Sequence, residues 1–144
     1  MPANNDVIYS KEGEVANNGT TGMNALVTAA ANDYTGAGAN NSLCFTADAT
    51  NGSYVQRLRF KAGGTNVASV ARIFLNNGSA NTTATNNVFY GEISLPATTL
   101  IATAATVEID YPMNFALPAA FRIYFGLGTA VAAGWVCVCI AGNY

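Results

Sequence analysis

The sequence predicts an all-β fold, a single-domain antiparallel β-sandwich, jelly-roll-like, with an extended N-terminal arm. Three observations carry this. Apolar and polar residues alternate with period two in several separate stretches. Gly, Asn and Pro punctuate those stretches at strand-length intervals, as in sandwiches and barrels rather than βαβ units. No segment sustains a helical period beyond one or two turns. No internal repeat of fixed length points to a solenoid or propeller.

Taken in order, residues 1–24 read as the arm and 25–144 as the sandwich. Val7, Ile8 and Tyr9 form a short β-prone patch in the arm, before KEGE and the turn-rich ANNGTTG. LVTAAA at 26–31 suits a short strand or one helical turn, and NDYTGAGANN reads as a loop. LCFTAD at 43–48 is a strand, ended by Thr50-Asn51-Gly52-Ser53, where Asn-Gly suits a tight hairpin turn. The next strand should set Tyr54, Gln56, Leu58 and Phe60 on one face, and Val55, Arg57, Arg59 and Lys61 on the other.

Gly63-Gly64 ends that strand, and NVASVARIFLNNG continues the extended pattern, with Arg72 covered on both sides. SANTTATNN is a polar loop and a candidate contact surface. NVFYGEISLPA should oppose Phe89, Gly91, Ile93 and Leu95 to Tyr90, Glu92 and Ser94. The small residues of 100–105 suit a short strand or a helical turn. TVEIDYP at 106–112 points Val107, Ile109 and Tyr111 inward and Glu108 and Asp110 outward.

Leu117–Tyr144 holds the only tryptophan and two of the three cysteines. Ile123–Ala141 is free of charge and just long enough to cross a bilayer as a helix. Gly126, Gly128 and Gly134 interrupt it, no cationic anchor follows Trp135, and IYF and WVCVCI favour strands. The better reading is a last hairpin, AFRIYFGL and WVCVCIAG around GTAVAAG, with Trp135 and both thiols in the core.

Composition bounds the function. Of 144 residues, 51% are hydrophobic and only 10% charged, with a net charge of −2. Soluble domains average about 25% charged residues. So few charges give little protection against association and suit life inside an assembly. There is no basic footprint for nucleic acid, and the arm has no signal-peptide pattern.

With no histidine and three cysteines, a zinc site lacks ligands. Cys137 and Cys139 share a strand face about 6.5–7 Å apart at Cα, long for a disulfide. Cys44, Cys137 and Cys139 therefore read as buried thiols, in keeping with synthesis in a reducing cytoplasm. Glu108 and Asp110 do not make a glycosidase pair or a calcium loop. The Gly128–Gly134 segment lacks the Lys and Ser/Thr of a phosphate loop. No catalytic, cofactor-binding or metal-binding residues are assigned, and the chain does not read as an enzyme.

One resemblance goes further. Leu117, Pro118, Arg122, Gly126, Gly128, Thr129, Ala132, Ala133, Gly134, Trp135, Gly142 and Tyr144 make a tail, LP…FR…GLGTAVAAGW…AGNY. It resembles the ends of small β-rich proteins encoded among the capsid genes of tailed bacteriophages. The paired thiols Cys137 and Cys139 depart from that pattern. The resemblance implies a capsid decoration (cement) protein on the outer surface of the virion, made in the host cytoplasm. It further implies a homotrimer bound to the major capsid protein lattice, stabilising the head without cofactor, nucleic acid or membrane. Val7, Ile8, Tyr9, Arg57, Arg59 and Tyr144 are the expected interface residues. The alternative is a carbohydrate- or receptor-binding sandwich of a phage tail or fibre, with Tyr34, Tyr54, Tyr90 and Tyr124 as stacking platforms.

Overall fold

Alternating stretches rich in β-branched and aromatic residues favour strands that bury one face. The computed structural model describes residues 12–16 and 26–144. Among them it has nine strands and no α-helix: β1 Glu12–Ala16, β2 Leu26–Val27, β3 Ser42–Thr46, β4 Ser53–Ala62, β5 Ser69–Asn76, β6 Asn87–Leu95, β7 Glu108–Leu117, β8 Arg122–Leu127 and β9 Trp135–Asn143. One sheet has the order β1-β9-β4-β7, with β2 also pairing along β9, and the other has the order β3-β8-β5-β6. All the strand pairs are antiparallel.

From β2 onward every connection except the β5–β6 hairpin crosses from one sheet to the other, and β1 lies beside β9. This is the connectivity of a jelly-roll sandwich. Glu12–Ala16, inside the segment expected as an arm, pairs with Cys139–Asn143 of its own chain. Val7, Ile8 and Tyr9 lie outside the described residues.

The core fills the space between the sheets. Val55, Leu58 and Phe60 of β4 and Trp135, Cys137 and Cys139 of β9 face Phe45, Ala71, Ile73, Leu95, Ile123, Phe125 and Leu127 of the other sheet. Phe60 and Phe125 meet edge to face across the sandwich, 5.7 Å apart.

The expected final hairpin is corrected. β8 pairs with β3 and β5, whereas β9 pairs with β1, β2 and β4. Residues 128–134 therefore arch from one sheet to the other. The Asn51-Gly52 turn does the same between β3 and β4, with Gly52 at φ 78° and no space for a Cβ beside the Leu117 carbonyl. An apolar face on both pieces is common to a hairpin and an arch, so the pattern alone leaves the pairing open. The buried position of Trp135 and both thiols is as expected.

Two bulges correct the face assignments. In β4 the register shifts between Val55 and Arg57, so Val55 turns inward while Tyr54 and Gln56 join Arg57, Arg59 and Lys61 outside. In β6 the shift opposite Ile73–Phe74 leaves Tyr90 as the extra residue and turns Phe89 to the outer face. β7 runs on past the expected end at Pro112 as far as Leu117. Proline is tolerated there because β7 is an edge strand.

Candidate interaction surface

On the outer face of the first sheet, β4 and β7 set opposite charges across from one another. Arg59 pairs with Asp110 and Lys61 with Glu108 in the strand register. The Arg59 guanidinium donates to both Asp110 oxygens, at 2.8 and 3.1 Å, and the Arg57 Nε lies 3.7 Å from the same carboxylate. The hydrogen bond from Arg59 holds the Asp110 carboxyl below its ordinary value and in turn raises that of Arg59. The acidic surface that complements this arginine row is thus the neighbouring strand of the same chain.

The outer face of the second sheet is covered by its own loop. Asp33 accepts hydrogen bonds from the Thr35 and Gly36 amides and from Asn41 Nδ2, which folds residues 33–41 back over β5 and β8. Phe74 is buried beneath it, 5.7 Å from Phe89, and Tyr34 packs edge-on to Phe89. Arg72 stacks on the Tyr34 ring with its guanidinium carbon 4.0 Å from the centroid, and its Nε is 3.7 Å from Glu92. The four tyrosines considered as sugar platforms are dispersed. Tyr124 is buried, Tyr34 carries Arg72, Tyr90 packs on Tyr111 and Phe115, and Tyr54 stands on the other sheet.

One end of the sandwich has a different character. Asn66, 4% exposed, pins three loops there. Its Oδ1 accepts from the Ala133 and Gly134 amides at 2.8 and 3.0 Å, and its Nδ2 donates to the Gly134 carbonyl. Its backbone exchanges hydrogen bonds with Thr98, whose hydroxyl also donates to the Gly64 carbonyl. On this fixed base residues 99–105, TLIATAA, are all exposed, tightened by the bridge between Ile101 and Ala104. Leu100 is 62% exposed, Ile101 50%, Val67 58% and Leu26 49%. Leu26 and Leu100 sit against Gly63 and Gly64. The result is an apolar projection on a rigid support, without a charged residue between Leu95 and Thr106.

The opposite end is polar. Tyr144 donates its amide to the Gly52 carbonyl and accepts from Asn51 Nδ2, and Ser53, Asn143 and Glu14 form a chain of side-chain hydrogen bonds. The polar loop after β5 is knit together by asparagines, Asn76 to Asn87 and Asn77 to Asn86. Among the described residues, surface depressions of about 310 Å³ and about 220 Å³ lie beside Ser69, Arg72 and Thr129 and beside Asn76, Asn87 and Phe121. Among the described residues no three His, Cys, Asp or Glu side chains gather as a metal site. Among the described residues no helix is long and apolar enough to cross a membrane.

Of the expected interface residues, Arg57 and Arg59 lie together on the outer sheet face and Tyr144 is tied into the polar end. The apolar end loop was readable only as small residues of uncertain form, and its one sequence signal is the charge-free run TTLIATAAT. No protein-family model matches the chain, and neither curated proteins nor solved structures return a match.

Proposed function

We propose that this chain is a structural virion protein that decorates and stabilises a capsid by binding the major capsid protein lattice as a homotrimer. The observation that carries the reading is the apolar end loop, with Leu100 and Ile101 exposed beside the Asn66–Thr98 backbone pair. A cement protein needs rigid interfaces and no reacting groups, and exposed contiguous apolar surface marks an interaction site. The tail motif and the low charge support the same reading. The jelly-roll connectivity is compatible with it, since sandwiches of this type serve in capsids as well as in lectins.

The test is co-sedimentation with expanded empty heads built of the major capsid protein, together with mass photometry of the protein alone. Binding to heads and a trimeric mass are expected. Leu100→Asp with Ile101→Asp, two exposed positions, should abolish binding while leaving the circular dichroism unchanged. A strict monomer that does not bind heads overturns the proposal, and a double variant that binds like the parent removes the loop from it.

A further inference from the structure

Cys44 and Cys137 come from opposite sheets and meet in the core. Cys44 belongs to β3 and Cys137 to β9, both are fully buried, and their sulfurs lie 3.4 Å apart. A bulge directs this meeting. Leu43 pairs with Tyr124 and Phe45 with Ile123, so Cys44 is the extra residue between them. Cys44 and Phe45, neighbours in sequence, are both buried as a result. Cys139 is on the same face as Cys137 but further along the strand, so a bond between those two would have to bridge residues i and i+2.

We propose that Cys44 and Cys137 form a latent cross-link, a disulfide that staples one sheet to the other when the protein meets a hydroperoxide. A disulfide has an S–S length of about 2.05 Å, so the sulfurs must approach by roughly 1.4 Å. Side-chain rotation and the irregular backbone at the bulge supply that movement. In the reaction the Cys44 sulfur attacks the peroxide O–O bond, giving a sulfenic acid and one water. The Cys137 sulfur then displaces the sulfenic oxygen as a second water. Two thiols lose two hydrogens and two electrons, and one hydrogen peroxide becomes two waters. Burial raises the pKa of the Cys137 thiol, which slows its attack on the sulfenic acid in the folded protein; during refolding, before the thiol is buried, that penalty is absent. The bond closes a chain span of 93 residues, a long loop removed from the unfolded ensemble.

The experiment oxidises the full chain with hydrogen peroxide, once folded at mildly alkaline pH and once during refolding from denaturant. Alkylation under denaturing conditions, intact mass and peptide mapping follow. The expected product has lost two hydrogens, takes up one alkyl group in place of three, and yields a peptide pair joining Cys44 to Cys137. Its thermal midpoint rises by roughly 10 °C and returns on treatment with a phosphine. Cys139→Ala keeps the cross-link, and Cys44→Ala loses both the cross-link and the midpoint shift. Three alkylatable thiols after oxidation during refolding overturn the proposal, as does a bond mapped to Cys139 or an unchanged midpoint. Should Cys44→Ala fail to fold, the wild-type peptide map decides.

Discussion

Asn66 shows how much one side chain holds in place. Buried amides left without partners cost about 1–3 kcal/mol each, and Asn66 satisfies the buried Gly134 amide, the part-buried Ala133 amide and one carbonyl. Asn66→Ala orphans the Ala133 and Gly134 amides together. The expected loss is about 2–4 kcal/mol in urea unfolding. Hydrogen-exchange protection should fall first at Ala133, Gly134 and Thr98, while the asparagine-knit loop after β5 keeps its own. Asn66→Asp retains the acceptor that both amides need but not the donor to Gly134, so it should lie between the two. An Asn66→Ala protein as stable as the parent would mean that water or the loop itself replaces these bonds.

At the scale of elements, strand existence was legible and strand partnership was not. Alternation identified β4, β6 and β7 because a half-buried strand must show it. It could not register the extra residue in β4 or in β6, because a bulge is set by the partner strands and leaves the composition unchanged. The same limit hid the arch between β8 and β9. Arg57 and Arg59 were singled out as charged strand residues. Their partner Asp110 lies 51 positions beyond Arg59, and only the β4–β7 register joins them. The segment 100–105, expected as a short strand or a helical turn, is a tight turn closed by the Ile101–Ala104 bridge, and nothing in its composition marks Leu100 and Ile101 as exposed. Trp135 is the element-scale feature that sequence and structure share, fully buried where β9 begins. Trp135→Ala should cost about 3–5 kcal/mol, read as a lower denaturant midpoint at unchanged slope. Trp135→Phe should cost far less, because the indole N–H has no hydrogen-bond acceptor among the described residues. Equal stability of the alanine variant and the parent would contradict the placement of Trp135 in the core.

For the molecule as a whole, the ionisable groups set a stability plateau with two edges of different origin. On the acid side, Asp110 is held low by Arg59, and Asp48 by the Asn51 and Thr50 amides. Burial alone would lift Asp33, but hydrogen bonds from Asn41, Thr35 and Gly36 outweigh it. Carboxyls with depressed folded pKa values stabilise the fold above their unfolded value, about 3.9, and that contribution is lost as pH falls through the folded values. On the alkaline side the sign reverses. Burial pushes Cys139 and Cys137 up, so the folded state keeps protons that the unfolded chain gives away. Their contribution is whole below about pH 8.5, the unfolded thiol value, and shrinks as pH rises toward the folded values. Tyr111, raised by burial and by Tyr90, adds the same sign above about pH 10. Denaturant midpoints measured from pH 2 to 11 under reducing conditions should be flat in the middle and fall at both ends. Asp110→Asn should shallow only the acid edge, and Cys139→Ala only the alkaline one. The acid edge should also weaken with salt, since the Arg59–Asp110 pair is exposed and screened, whereas the thiol edge should not. An alkaline edge that persists unchanged in Cys139→Ala would place its origin in Cys137 or Tyr111.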